Sequence, residues 1–299
     1  MWRFFATANH FPESTSFHEV EARFRTQKSS GVIEKIDNAG LHSIQLISSG
    51  ALLKTYDLPG QPSSSAPALT RTHAVILEDT AARLTWLALE SHSAEKNSIP
   101  DKTHWDALLV HLRARRWNGL LEIQHEDSHG LLLFKLGSLQ SDEIVFQTSA
   151  GFSKDPIIQA QFPIEATLLE LGHDSQAYQC LMLRKGITAW ADHLLVRCQE
   201  MIGRRMLHTI ERELNHAIEP WNWNIALKDD ALHDEHFFGN TQEAAQAYRE
   251  VFMGIGNQLN FFIGSNITQR ILNESFELLP TEERNALGAQ RLIPAAFTL

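Results

Sequence analysis

The spacing of apolar positions repeats itself in the first half of the chain. Phe17, Val20 and Phe24 recur at helical spacing and predict a helix, and two apolar runs, 31–34 and 44–47, follow on either side of a polar turn. Two short apolar runs around a polar turn predict a β-hairpin. The first unit is therefore a helix followed by a hairpin.

A second segment shows the same order. Trp105, Leu108 and Leu112 predict another helix, and the runs 119–122 and 131–134 flank another polar turn. Self-similarity of this kind marks a duplicated supersecondary unit. We therefore predict two copies of one helix-plus-hairpin unit, in which each helix turns an apolar stripe toward its own hairpin.

The segments around the two copies supply further strands. A stretch rich in proline and serine, 59–67, predicts a linker or an exposed loop, and residues 91–102 form a second polar break. The run 84–89 fits a strand or a helix equally well. Short strands are predicted at 74–77, 164–169 and 178–183.

The apolar period lengthens to that of a helix after Gly186. Apolar residues recur every four positions from Trp190 to Ile218, which predicts one long amphipathic helix that Pro220 stops. Asn240, with Glu243 in the capping-box position, predicts the start of a second helix. Two shorter helices are predicted at 267–276 and 281–289.

These elements predict an α+β fold in which the duplicated helix-plus-hairpin units form a largely antiparallel sheet, followed by an all-helical domain. We divide the chain into a first α+β repeat with its Pro/Ser-rich loop at 1–102, a second repeat at 103–185 and a helical domain at 186–299.

Composition narrows the class of protein. The chain has 299 residues and a net charge of −10, which disfavours general binding to the phosphate backbones of nucleic acids. No apolar run approaches the roughly 20 residues that cross a bilayer, and the first residues lack the sustained apolar region of a secretory signal. We predict a cytoplasmic protein whose two cysteines, Cys180 and Cys198, are reduced, buried thiols.

One group of candidate metal ligands lies on the predicted long helix. Glu213 and His216 have the spacing with which helix bundles place a carboxylate and an imidazole on one metal, and His208 and Glu211 lie on the same helix. A di-iron site needs a second such pair on another helix, and the sequence has none. A solvated helix face is the favoured interpretation.

A second group follows this helix. His233, Asp234 and His236 lie close together between two predicted helices, without the spacing of an HExxH motif. An exposed acidic connector is the favoured interpretation, and a metal site or a proton-sensing role is the alternative.

Aromatic residues crowd the predicted domain junction. Trp221, Trp223, Phe237 and Phe238 are candidates to line a ligand pocket there, or to close the junction by packing.

A cationic cluster next to Trp117 is similar to a nucleic-acid patch. Its members, however, fall in the last turn of a predicted helix, where cations complement the helix dipole, and the first repeat has cations at the same place. We therefore favour a structural role for both sets, which are Arg113, Arg115 and Arg116 in one copy and Arg23, Arg25 and Lys28 in the other.

The second repeat resembles the PATAN-type domain of bacterial signalling proteins. That family shows a helix, a strand of pattern sGhLeh and a second strand that ends in a glycine turn. Here a predicted helix precedes the first strand at 119–122, the second strand is at 131–134, and the glycine turn is at 137–139. The first repeat resembles a more divergent copy, at 31–34 and 50–52. The resemblance implies a non-catalytic protein-interaction module whose partners are other proteins of a signalling system.

The sequence shows no nucleophile elbow, phosphate loop or kinase signature. The expected function is therefore a non-catalytic signalling adaptor or regulator that needs no cofactor and binds partners through exposed strand edges or the helical domain. A metal-dependent enzyme built on the helical domain and a small-ligand sensor are the alternatives. We expect no membrane contact, and leave a homo-oligomer open.

Overall fold

The computed structural model describes residues 17–36, 42–58, 71–125, 128–148, 151–153 and 162–297. The chain divides between Ser175 and Gln176 into two compact units. The first unit contains both repeats and the second is mainly helical, which confirms the α+β class with antiparallel sheets and a helical C-terminal region. In the described residues, no helix is long and apolar enough to span a membrane.

The first repeat builds a four-stranded antiparallel sheet with the order β3-β2-β1-β4. Helix α1 precedes the hairpin, as the spacing of its apolar residues predicted. The elements are α1 (Phe17–Gln27), β1 (Ser30–Ile36), β2 (His42–Ser48), β3 (Ala51–Leu58) and β4 (Arg71–Leu77).

The second repeat builds a six-stranded antiparallel sheet with the order β5-β10-β6-β7-β8-β9. Its inner part, β8-β7-β6-β10, matches β3-β2-β1-β4 strand for strand. The elements are β5 (His92–Ile99), α3 (Lys102–Ala114), β6 (Gly119–His125), β7 (Ser128–Lys135), β8 (Ser138–Thr148), β9 (Gly151–Ser153) and β10 (Ile164–Glu170).

The two copies also agree in single hydrogen bonds. The N–H of Gly50 donates to the carbonyl of Ser29, and the N–H of Gly137 donates to the carbonyl of Trp117, each over 2.8 Å. Both bonds tie the glycine turn after the second strand of the hairpin to the end of the preceding helix. The predicted duplication is therefore present in the backbone as well as in the apolar pattern.

The glycine of this turn is required by its surroundings. Gly137 has φ +75°, and a Cβ atom there would lie 2.4 Å from the Cα of Arg113 and 2.5 Å from the carbonyl oxygen of Leu112. Gly50, with φ +82°, has the same relation to α1. A left-handed backbone pressed against a helix end admits only glycine.

We expect Gly137→Ala to lower the free energy of unfolding by about 2–3 kcal/mol, since alanine adds both left-handed strain and a backbone clash. Urea unfolding measures the change. Gly288→Ala is the matched control, because no atom lies within 4 Å of a Cβ at Gly288. A loss at Gly137 no larger than that of the control would contradict this account.

Helix α2 (Asp79–Leu89) lies between the two sheets and is buried from Thr80 to Ala88. It packs on β1 and β4 of the first sheet and on β7 and β8 of the second. This settles the open assignment of residues 84–89 as a helix. Because both sides of α2 meet a sheet, its apolar residues show no single stripe from which the sequence could have distinguished helix from strand.

Helices α1 and α3 cover the outer faces of the two sheets. Val20 and Phe24 of α1 pack on Ile33 and Ile47, and Trp105 and Leu112 of α3 occupy the corresponding place on the larger sheet. This confirms the prediction that each helix buries one face of its own hairpin.

The second unit contains five α-helices and one hairpin in its described residues. The predicted cap at Asn240 is confirmed, since its side chain accepts a hydrogen bond from the N–H of Glu243 over 2.8 Å. The elements are α4 (Gln176–Ile202), α5 (Arg204–Ile218), β11 (Ile225–Lys228), β12 (Ala231–Asp234), α6 (Thr241–Ile263), α7 (Ser265–Glu277) and α8 (Thr281–Ala289).

Several predictions in this half were wrong. The strand predicted at 178–183 is the first part of α4, so the unit begins at Gln176, ten residues before the predicted boundary. Gly203, with φ +75°, breaks the predicted long helix into α4 and α5. The domain is not all-helical, because β11 and β12 pair. The four-residue apolar spacing marks neither the start of α4, nor the break at Gly203, nor the hairpin of β11 and β12, so the pattern did not predict these changes.

Candidate functional site

A polar groove lies on one face of the larger sheet, along β5, β10 and β6. It has a volume of about 380 Å³ and is lined by Ser93, Lys96, Asn97, Ser98, Glu122, Gln124, Glu165, Ala166, Thr167 and Leu169. All of these residues belong to three neighbouring strands, so sheet register decides which side chains meet.

The register arranges the groove in cross-strand rows. Thr167 of β10 lies opposite Lys96 on one side and Glu122 on the other. Two residues along β10, Glu165 forms the same kind of row with Ser98 and Gln124. Directly opposed residues of antiparallel strands project to the same face, so the ammonium and the carboxylates share one surface.

The groove is open because of where α2 lies. On this same sheet face α2 packs over β7 and β8, and Arg83 of α2 reaches Glu143 of β8, with 3.6 Å between Nη2 and Oε2. In the first sheet α2 packs instead over β1 and β4. The equivalent residues Glu34 and Glu122 therefore have different surroundings: α2 packs on the strand of Glu34, whereas Glu122 lines the groove.

Strand β5 forms one edge of the groove and of the sheet. It pairs with β10 from His92 to Ile99, and within the described residues no strand lies on its outer side. Its side chains are exposed except Asn97, which is half-buried, and Ile99, which is buried in the core under α3. The outward N–H and C=O groups of an edge strand are a template for another strand.

Sequence reasoning missed this groove because it assigned 91–102 to a polar break. An edge strand that is exposed on both faces has no apolar alternation, which is the signal that predicts a strand. The only large apolar side chain in β5 is that of Ile99, at its last position.

The candidate metal ligands of α5 lie on its solvent side and pair with neighbours on the chain. Nδ1 of His208 is 3.1 Å from Oε2 of Glu211, and His216 and Glu213 pair with Glu219 and Arg212. In the part of the chain that the structure describes, no group of three or more His, Cys, Asp or Glu side chains is arranged to hold a metal ion. These contacts agree with the favoured interpretation of a solvated helix face.

The second candidate group forms a hairpin, so the predicted exposed connector was wrong. Asp234 ends β12, and its side chain is fully buried. Its carboxylate accepts hydrogen bonds from the hydroxyl of Tyr248 over 2.7 Å and from the N–H of His236 over 3.0 Å, and lies 3.7 Å from Nε of Arg184. Burial, followed by the nearby carboxylate, raises the pKa of Tyr248 well above its usual value. Asp234 therefore joins α4, β12 and α6.

The two histidines of this group point to other partners. Nε2 of His233 lies 3.2 Å from the carbonyl oxygen of Lys228 across the hairpin. Nδ1 of His236 accepts a hydrogen bond from the N–H of Asn224. The main-chain N–H of His236 therefore bonds to Asp234, while Nε2 of His233 and Nδ1 of His236 contact main-chain groups of other residues.

The candidate pocket aromatics form a series of ring contacts in the second unit. Trp221 stacks on Trp223 with 5.1 Å between ring centroids, Trp223 meets Phe238, and Phe238 meets Tyr248. Phe237 and Phe238 are buried and Trp221 is half exposed. The contacts lead from the surface into the core of the unit, and the ligand pocket at these residues stays a prediction.

The cationic cluster ends α3, as predicted. Arg115 is the C-cap and Arg116 takes the left-handed conformation with φ +49°; Lys28 does the same after α1, with φ +48°. Arg113, Arg115 and Arg116 are all exposed. The equal backbone geometry in both copies supports a structural role for these cations.

The two cysteines form no disulfide bond. Cys198 is fully buried, and burial raises the pKa of its thiol to about 12. Cys180 is only half-buried, which differs from the predicted full burial.

No known protein family, curated protein or solved structure matches the chain.

Proposed function

We propose that this protein is a cytoplasmic, non-catalytic signalling adaptor or regulator that binds an extended segment of a partner protein along the outer edge of β5. The observation that carries the proposal is the edge itself. Seven of the eight residues of β5, all but Ala94, are held in register by β10, while their outer side faces no strand of the described chain.

The physical basis is strand addition. A partner segment beside β5 would form main-chain hydrogen bonds with the outward groups of the strand, and the side chains on one of its faces would reach the groove. Lys96 and Ser98 border that path on the groove side. Because β5 is already ordered by its pairing with β10, the binding surface loses little conformational freedom when a partner arrives.

The resemblance of both repeats to the PATAN-type domain supports the signalling context of the proposal. In the second repeat the resembling segments are β6, β7 and the start of β8, which form the centre of the sheet that carries β5. The acidic net charge of the chain and the absence of a catalytic motif in its sequence agree with a role through protein contact.

Proline substitutions in the full chain test this function. Lys96 and Asn97 are neighbours on β5, so their N–H groups point to opposite sides of the strand. In one of the two variants, Lys96→Pro or Asn97→Pro, the lost N–H is an outward donor and the ladder to β10 stays intact. That variant is the one with the higher melting temperature. We expect that variant to capture at least about tenfold less of a partner that the wild-type chain captures from the native cell.

Thr55→Pro is the matched control, because Thr55 is an exposed residue of β3, the edge strand of the smaller sheet. Partner capture by this variant should equal that of the wild type. Equal capture by the β5 variant with an intact ladder would show that partners do not use the β5 edge.

A further inference from the structure

Negative side chains outnumber positive ones beside the β5 edge. On the groove side, Lys96 is accompanied by Glu165, whereas Glu122 is buried on β6, two strands from β5. On the opposite face Glu95 lies across from Leu168, and at the end of the ladder Glu170 lies across from His92. Three exposed carboxylates and one ammonium therefore border the path of an added strand.

The carboxylates lie on both faces of the sheet. Glu95, Glu165 and Glu170 are exposed. An added strand would lie about 4.8 Å from β5, which carries Glu95, and about 10 Å from β10, which carries the other two, so the long side chains of lysine or arginine can reach all three. A glutamate or aspartate at the same places would meet like charge, which destabilises cross-strand pairs.

The same charges disfavour a second copy of this chain as the occupant. Two β5 edges brought together would place one set of carboxylates beside an identical set, and Lys96 is the only lysine or arginine among the residues of β5, β10 and β6. Like charges and an edge lysine are recognised devices against edge-to-edge pairing of identical chains.

Resting on the proposed function, we propose that the partner segment is an extended, basic peptide. Its main chain extends the sheet at β5, and its lysine or arginine side chains contact Glu95 on one face and Glu165 on the other. The main chain provides pairing that is independent of sequence, and the carboxylates select the basic character of the segment.

Three labelled decapeptides test the proposal against the full-length protein by fluorescence anisotropy. One alternates lysine with threonine, the second alternates glutamate with threonine, and the third has the lysine–threonine sequence with every main-chain N–H methylated, and so keeps the charge but cannot donate main-chain hydrogen bonds. We expect the lysine–threonine peptide to bind at least about tenfold more tightly than either of the others.

Charge-neutral variants of the protein locate the contact. Glu95→Gln and Glu165→Gln should each weaken binding of the lysine–threonine peptide by about two- to fivefold, and high salt should remove most of the difference. Glu250→Gln is the control, because Glu250 is exposed on α6 in the other unit. An equal effect of all three variants would overturn the assignment to this edge.

The outcomes separate the two proposals. Equal binding of the lysine–threonine and glutamate–threonine peptides would overturn the basic preference and leave strand addition at β5 standing. Equal binding of the lysine–threonine peptide and its N-methylated form would show attraction by charge alone, which contradicts strand addition. Failure of the lysine–threonine peptide to bind would overturn the basic partner, while partner capture by the proline variants still decides the proposed function.

Discussion

Arg83→Met is expected to lower the free energy of unfolding by about 3–5 kcal/mol, because it leaves a buried carboxylate without its cation. The side chain of Glu143 is fully buried and that of Arg83 is 9% exposed, with 3.6 Å between them. Arg83 also donates to the hydroxyl of Thr80 over 3.1 Å. Methionine fills a similar volume, so the loss would report the charge and not a cavity.

The double variant Arg83→Met/Glu143→Leu is the control for this prediction. Replacing both members of a buried ion pair with apolar side chains of similar size is often close to neutral, so most of the lost stability should return. Urea unfolding followed by circular dichroism measures both variants. A loss below about 1 kcal/mol in the single variant would mean that this pair does not hold α2 against the larger sheet.

Asp234→Ala is expected to have an effect of similar size in the second unit, about 3–5 kcal/mol, because it removes the shared acceptor of three elements. The variant leaves the hydroxyl of Tyr248 and the N–H of His236 without this carboxylate, and takes a negative charge away from Arg184. Tyr248 is 1% exposed, so water cannot replace the lost acceptor without opening the core.

Two measurements separate this structural role from a metal site. His216→Ala should change stability by less than about 0.5 kcal/mol, since the imidazole is exposed and its pairing with Glu219 is a surface contact. Zinc, iron or manganese added to the wild-type protein should leave its melting temperature unchanged. Metal-dependent stabilisation that disappears in Asp234→Ala would instead assign Asp234 to a metal centre.

The helices of the second unit show what periodicity and capping residues can predict. Helix α8 has the predicted bounds, 281–289, and α6 begins after the predicted cap at Asn240. These signals are local, because a cap and an apolar stripe lie within one element. The break at Gly203 was missed because the four-residue apolar spacing continues through it from Cys198 to Ile202 and Met206.

Backbone hydrogen bonds at equivalent places align the two repeats residue by residue, which the apolar pattern alone does not. Leu112 corresponds to Phe24 and Gly119 to Gly31, because each occupies the same place in its helix end and first strand. Continued upstream at this spacing, the sequence aligns Ile99-Pro100-Asp101 with Phe11-Pro12-Glu13. The sequence repeat therefore extends beyond the predicted helix and hairpin, and its upstream end in the first copy lies outside the described residues.

The sequence by itself determined the local units of this protein: the two helix-plus-hairpin copies, the glycine turns that close them and the capped helices that follow. Only the tertiary structure decided that α2 packs over β1 and β4 in one copy and over β7 and β8 in the other. That choice places the equivalent residues Glu34 and Glu122 in different surroundings and leaves a groove beside the exposed strand β5. The physical reason is that apolar spacing reports which residues are buried, whereas the element that buries them is chosen by packing between segments far apart in the chain.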